Sequence, residues 1–228
     1  MIIFRYALLR GIRNPASMAV NCIIPIILMF IRPFWIDGAT GFFFIAFAVM
    51  SGAYLMSLSI LTDKTDGAIV RILAAPITMR RYLTENLLAC MVPLLVQVLL
   101  VSLLGVALYD WGLTLSIVVF LCYTVLTLAS VAMAFAWHCL FKSKDASNAG
   151  FGFIVTLMAF LSGFIFPLEV FPGIIQYIGA IFPAYWTARA LHYVLETGVI
   201  NGVFWTSIAA MLVFAAAFLL YGSKRRIV

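Results

Sequence analysis

FFFIAFAVMSGAYLMSLSIL occupies residues 42–61 and holds no charged side chain. Wound as a helix, it is apolar on every face. In water such a helix must be enclosed by other protein, whereas in a bilayer it needs no cover. At about 1.5 Å per residue, a run of this length matches the roughly 30 Å hydrocarbon core. Composition extends the reading to the whole chain. Of 228 residues, 66% are hydrophobic and 10% charged, with mean hydropathy +1.18. A soluble domain is nearer half apolar and about a quarter charged.

Five more apolar runs lie at about 17–34, 83–108, 113–140, 149–166 and 203–221. Strands of a membrane barrel alternate polar and apolar over about ten residues, and these runs do not. The expectation is therefore an all-α integral membrane protein with six transmembrane helices in a single domain, 1–228. Pro25 is predicted to kink the first span. Glu85 opens the third span, which also contains Pro93 and Gln97, and His138 closes the fourth.

Residues 1–14 are predicted to hold an amphipathic interface helix over 2–13. Phe4, Leu8 and Ile12 stack on one face, and Arg5, Arg10 and Arg13 fall opposite, toward lipid headgroups. No signal-type cleavage site follows.

The bases set orientation. With the N-terminus inside, twelve of the fourteen Lys and Arg fall on inner segments, and only Arg32 and Arg189 fall outside. An excess of bases marks the cytoplasmic side, so both termini are expected in the cytoplasm of a multi-pass cell-membrane protein. The formal charge of +6 is explained by topology, and no nucleic-acid partner is expected.

The inner loop 63–81 stands out. TDKTDGAIVRILAAPITMRRY, residues 62–82, turns helical after Gly67, with Ile69, Ile72, Leu73 and Ile77 at helical spacing. Asp63 and Asp66 precede the helix, where negative charge is favoured. Pro76 limits it. Its apolar face requires cover from lipid headgroups, from the protein itself or from a partner. An outer segment, 167–198, is too apolar for an exposed loop and too broken to span. Pro167, Pro172 and Pro183 cut it into two short pieces, 173–182 and 184–196, that suit helices dipping partway into the bilayer. Tyr177, Tyr185, Trp186 and Tyr193 fit an interfacial depth.

Catalytic chemistry is not evident. There is no Gly-x-x-x-x-Gly-Lys-Ser/Thr phosphate loop, so the chain is not expected to hydrolyse ATP. His192 and Glu196 lie four apart, without the second His of a zinc-protease helix. Ser162-Gly163 lacks the glycine that precedes the serine in rhomboid-like proteases. Cys22, Cys90, Cys122 and Cys139 sit in apolar runs without metal-type spacing. Span interiors offer neutral groups such as Asn21, Ser57, Gln97, Thr124 and Thr127, which suit helix packing better than ion handling. An ion-coupled transporter or channel without an ATPase stays as the alternative.

DKTDGAIVRILAAPIT, residues 63–78, resembles the cytoplasmic loop of type-2 permeases of ATP-binding-cassette exporters, at Asp63, Asp66, Gly67, Arg71, Leu73 and Pro76. Thr65 stands where a Glu is common, leaving Asp63 or Asp66 to supply any salt bridge. The outer segment is similar to the same family at Ser162, Gly163, Pro167, Glu169, Pro172 and Pro183. The resemblance implies that the loop is a coupling helix docking on a separate ATPase subunit through Asp66, Gly67, Ile69, Arg71, Ile72, Leu73 and Pro76. It implies an outer gate at Pro167, Glu169, Pro172, Pro183, Tyr185 and Trp186. It implies a pair of permease chains, homo- or heterodimeric, in membrane lipid. It implies that this chain binds no cofactor itself, ATP and Mg being held by the ATPase. An amphipathic cargo, such as a drug, peptide or glycolipid, is expected to leave the cell.

Overall fold

The computed structural model describes residues 2–31, 40–74, 77–164 and 172–224. These residues are helical throughout, apart from short connections. In chain order the helices are α1 (Ile2–Arg13), α2 (Pro15–Met29), α3 (Thr40–Thr65), α4 (Ala68–Ala74), α5 (Met79–Tyr109), α6 (Leu113–Leu140), α7 (Lys144–Leu161), α8 (Gly173–Gly179), α9 (Pro183–Thr197) and α10 (Gly202–Lys224). Among the described residues, α3, α5, α6 and α10 are long and apolar enough to cross a membrane, with a fifth span if α1 and α2 count as one bent unit.

The bend between α1 and α2 is 78°. Asn14 makes it: its side chain accepts hydrogen bonds from the amides of Ala16 and Ser17, at 3.1 and 3.4 Å, and caps a new helix whose first residue is Pro15. Within α2, residues Ala19–Ile23 form a π turn just before Pro25. Proline has no amide proton to give the carbonyl one turn back, and the wider turn absorbs the mismatch.

α6 is the centre of the bundle. In its most apolar stretch 72% of residues are buried, against 28% in α10, which leaves α10 on the rim. Small residues let neighbours approach α6: Ala129, Ala132 and Ala134 are fully buried. α3 reaches α2 by the same device. A Cβ on Gly52 would overlap the side-chain oxygen of the buried Asn21.

Polar bonds pin the helix ends. At one end, Tyr109 donates to Met29 O at 2.6 Å, Tyr123 donates to Phe42 O, and Trp111 stacks on Phe42 with centroids 5.4 Å apart. Toward the other end, His138 Nε2 lies 3.0 Å from Ser57 Oγ. That hydroxyl donates to Tyr54 O at 3.0 Å, so its oxygen is left to accept from the imidazole. Tyr54 in turn donates to Ser147 Oγ at 3.2 Å, tying α3, α6 and α7 together. His138, at the close of its apolar run, is only 1% exposed. Cys90 and Cys122 are buried among apolar neighbours, and Cys139 donates to Phe135 O at 3.3 Å.

Candidate functional site

The end that carries α1, α4 and the start of α5 gathers most of the charge. α3 runs out to Thr65, and Gly67 reverses the chain with φ +68, a conformation that a Cβ disfavours. α4 follows as a seven-residue helix. Ile69 is 2% exposed and packs on Tyr82, with Ile3, Ile72, Ile77, Met79 and Leu83 around them. The protein itself therefore covers the Ile69 side of α4. Burying such a side chain contributes roughly 2 kcal/mol where the reference is water. Asp66, Gly67, Val70, Arg71 and Ala74 remain exposed on the outer side. Ile72 is half-buried, Leu73 lies in the helix with its side chain outside the described residues, and Pro76 lies outside them altogether.

Two carboxylates fasten this end. Asp63 Oδ1 accepts from Arg10 at 2.7 Å, and its other oxygen accepts from the Tyr82 hydroxyl at 2.8 Å. Arg10 was expected to face headgroups with Arg5 and Arg13. The structure instead turns it toward α3, because Asp63 supplies a counter-charge there. Glu85 accepts from Arg81 at 2.9 Å and from the backbone amide of Phe4 at 3.0 Å. That amide belongs to the first turn of α1, which has no intrahelical partner, so Glu85 acts as its cap from another helix. Lys64 donates to the carbonyls of Cys139 and Phe141, at 3.2 and 3.3 Å, satisfying the open end of α6. Thr65 bonds only locally, to Thr62 O and Asp66. Asp63 makes an ion pair with Arg10, and Asp66 makes none among the described residues.

A cavity of about 490 Å³ opens between α1, α4 and α5, with Tyr6, Arg10, Asp63, Ile72 and Asn86 on its walls. It belongs to the same clamp. Sequence reasoning did not find Tyr82 or Glu85 as fasteners. The one signal was a lone Glu at the start of an otherwise apolar span.

At the opposite end, the two short helices of the segment 167–198 are α8 and α9. Pro172 precedes α8, and Pro183 is the first residue of α9. Trp186 donates to Ala180 O at 2.9 Å and carries the Arg189 guanidinium 5.4 Å above its ring, while Tyr185 packs edge-on against it. Gly198, with φ +67, ends α9. Pro167 and Glu169 lie outside the described residues.

Comparison with curated proteins finds no match. A family profile described as ABC-2 family transporter protein matches residues 14–224, nearly the whole of this helical membrane chain. The chain belongs to the ABC-2 family of transporter proteins and is an ABC-transporter permease.

Proposed function

We propose that the chain is the membrane-spanning subunit of an ATP-driven exporter, powered by a separate ATP-binding-cassette ATPase and working as a pair of permease chains. Six spans are assigned to α2, α3, α5, α6, α7 and α10, with both termini and α4 in the cytoplasm. The supporting observation is the setting of α4. Ile69 packs it on Tyr82 of α5 and Ile3 of α1, beside the Asp63–Arg10–Tyr82 cluster that joins α3 to both, while Val70, Arg71 and Ala74 face outward. A force applied to that outer side passes to α3 and α5 with few soft joints between.

The docking surface is then Asp66, Gly67, Val70 and Arg71 with Ile72 at its margin, and Leu73 and Pro76, whose side chains lie outside the described residues, are assigned to it by sequence alone. Ile69 supports the helix from beneath. Closure of the ATPase pair on ATP moves α4, the spans rearrange, and α8 and α9 with Pro167 and Glu169 gate release on the outer side. Apolar spans fit an amphipathic cargo: a drug, a peptide or a glycolipid.

The test is co-expression with candidate ATPase subunits of the ATP-binding-cassette class. Val70→Asp and Leu73→Asp should leave membrane insertion intact while ATPase capture and export both fall. Unchanged capture and export would overturn the docking assignment. Uphill cargo movement by the isolated chain in liposomes, on an ion gradient alone, would favour the ion-coupled alternative.

A further inference from the structure

α5 and α10 both pack along α6, and a groove of about 470 Å³ runs between them at the end where Arg80, Cys139 and Gly222 come together. Its walls are Leu83 and Leu87 of α5, Phe135 of α6, and Phe218 and Leu220 of α10. Arg80 stands at its polar end. Arg80 is exposed and has no ion pair among the described residues, whereas its neighbour Arg81 is paired with Glu85. Just past Gly222 the sequence adds Lys224, Arg225 and Arg226.

We infer that this groove is a binding site for one anionic phospholipid, with an acyl chain between α5 and α10 and the headgroup phosphate on Arg80. Three observations favour that occupant. The walls are apolar, and the volume falls in the range of about 300–1,000 Å³ that holds small ligands. α10 is the least buried of the long helices, so the groove opens on the side turned to lipid. A base without an ion pair among the described residues, at the mouth of an apolar cleft, matches a headgroup of net negative charge better than a zwitterionic one, in which a choline cation offsets the phosphate. The inference needs only that the chain is embedded in a bilayer and does not depend on an ATPase or on transport.

The experiment is native mass spectrometry of the purified full-length protein, titrated separately with phosphatidylglycerol and phosphatidylcholine. Wild type should retain one phosphatidylglycerol with a preference of about fivefold over phosphatidylcholine, the ratio expected for one base at a charged headgroup. Arg80→Gln should abolish the preference and Arg80→Lys should keep it. Leu87→Trp, which fills the groove while leaving the base in place, should lower retention of both lipids. Circular dichroism checks that each variant is folded. An unchanged preference in Arg80→Gln, or unchanged retention in folded Leu87→Trp, overturns the site. So does lipid bound to the monomer but expelled from the dimer, which would make the groove a contact between two copies. Each assay lacks ATPase and cargo, so failure here leaves the proposed transport function standing.

Discussion

Arg10 and Asp63 are 53 positions apart, and their side chains meet at 2.7 Å where α1 crosses the end of α3. Neither is fully sheltered, with side-chain exposures of 34% and 18%. Tyr82 closes the group from α5 by donating to the second Asp63 oxygen. Three elements that are remote in sequence are thereby held by one carboxylate.

That arrangement predicts a measurable coupling. Half-exposed ion pairs contribute on the order of 1 kcal/mol. A double-mutant cycle on Arg10→Ala and Asp63→Asn should return a coupling of that order in thermal unfolding of the detergent-solubilised protein. The charge exchange Arg10→Asp with Asp63→Arg should recover part of the loss. If Arg10→Ala and Asp63→Asn shift the midpoint independently, the pair carries no stability.

Much of this end was legible in the sequence, and the reasons differ by residue. The helix over 2–13 and the short helix after Gly67 were set by apolar spacing and by a glycine in a turn, both local signals. The partners were not local. Arg10 shares a charge and a spacing with Arg5 and Arg13, and only the fold of α3 back onto α1 distinguishes it. Spacing puts Ile69 and Ile72 on one apolar face but cannot say what covers it. The structure puts Tyr82 over Ile69. At the opposite end, prolines mark the breaks: α8 follows Pro172 and α9 begins at Pro183. Six apolar runs are visible, yet among the described residues four helices pass by length and apolarity, or five if α1 and α2 count as one bent span. α7 begins with the charged Lys144 and Asp145, and α2 is short and contains a π turn.

Gly52 offers a test of helix approach. A side chain there meets Asn21, which already donates to Ser17 at 3.2 Å and is wholly buried. Gly52→Ala should destabilise by about 1–3 kcal/mol, the usual range for overpacking a core. Asn21→Ala in the same chain should restore part of the loss, because the clash is with that side chain. A Gly52→Ala protein with an unchanged unfolding midpoint would mean that α2 and α3 are farther apart than described.

His138 predicts a polar requirement inside the bundle. Removing its ring by His138→Leu leaves the Ser57 oxygen without its donor, which costs about 1–3 kcal/mol for a buried group. Ser57→Ala together with His138→Leu removes both partners and should be milder than the sum of the single changes. Additive losses in thermal unfolding would show that the two residues do not interact.

Packing and docking on α4 are separable because they lie on different sides of the helix. Ile69→Ala removes a buried side chain from the Tyr82 cluster and should loosen α4, at a cost of about 2 kcal/mol or more if the site does not collapse. Faster hydrogen exchange across 66–74 in the isolated permease would report it. Arg71→Glu changes an exposed charge and should leave exchange and unfolding as they were. It should weaken only ATPase capture and export. The two variants therefore dissociate two measurements. If Ile69→Ala leaves exchange unchanged, or if Arg71→Glu alters the stability of the permease alone, the inner and outer sides of α4 have been assigned the wrong way round.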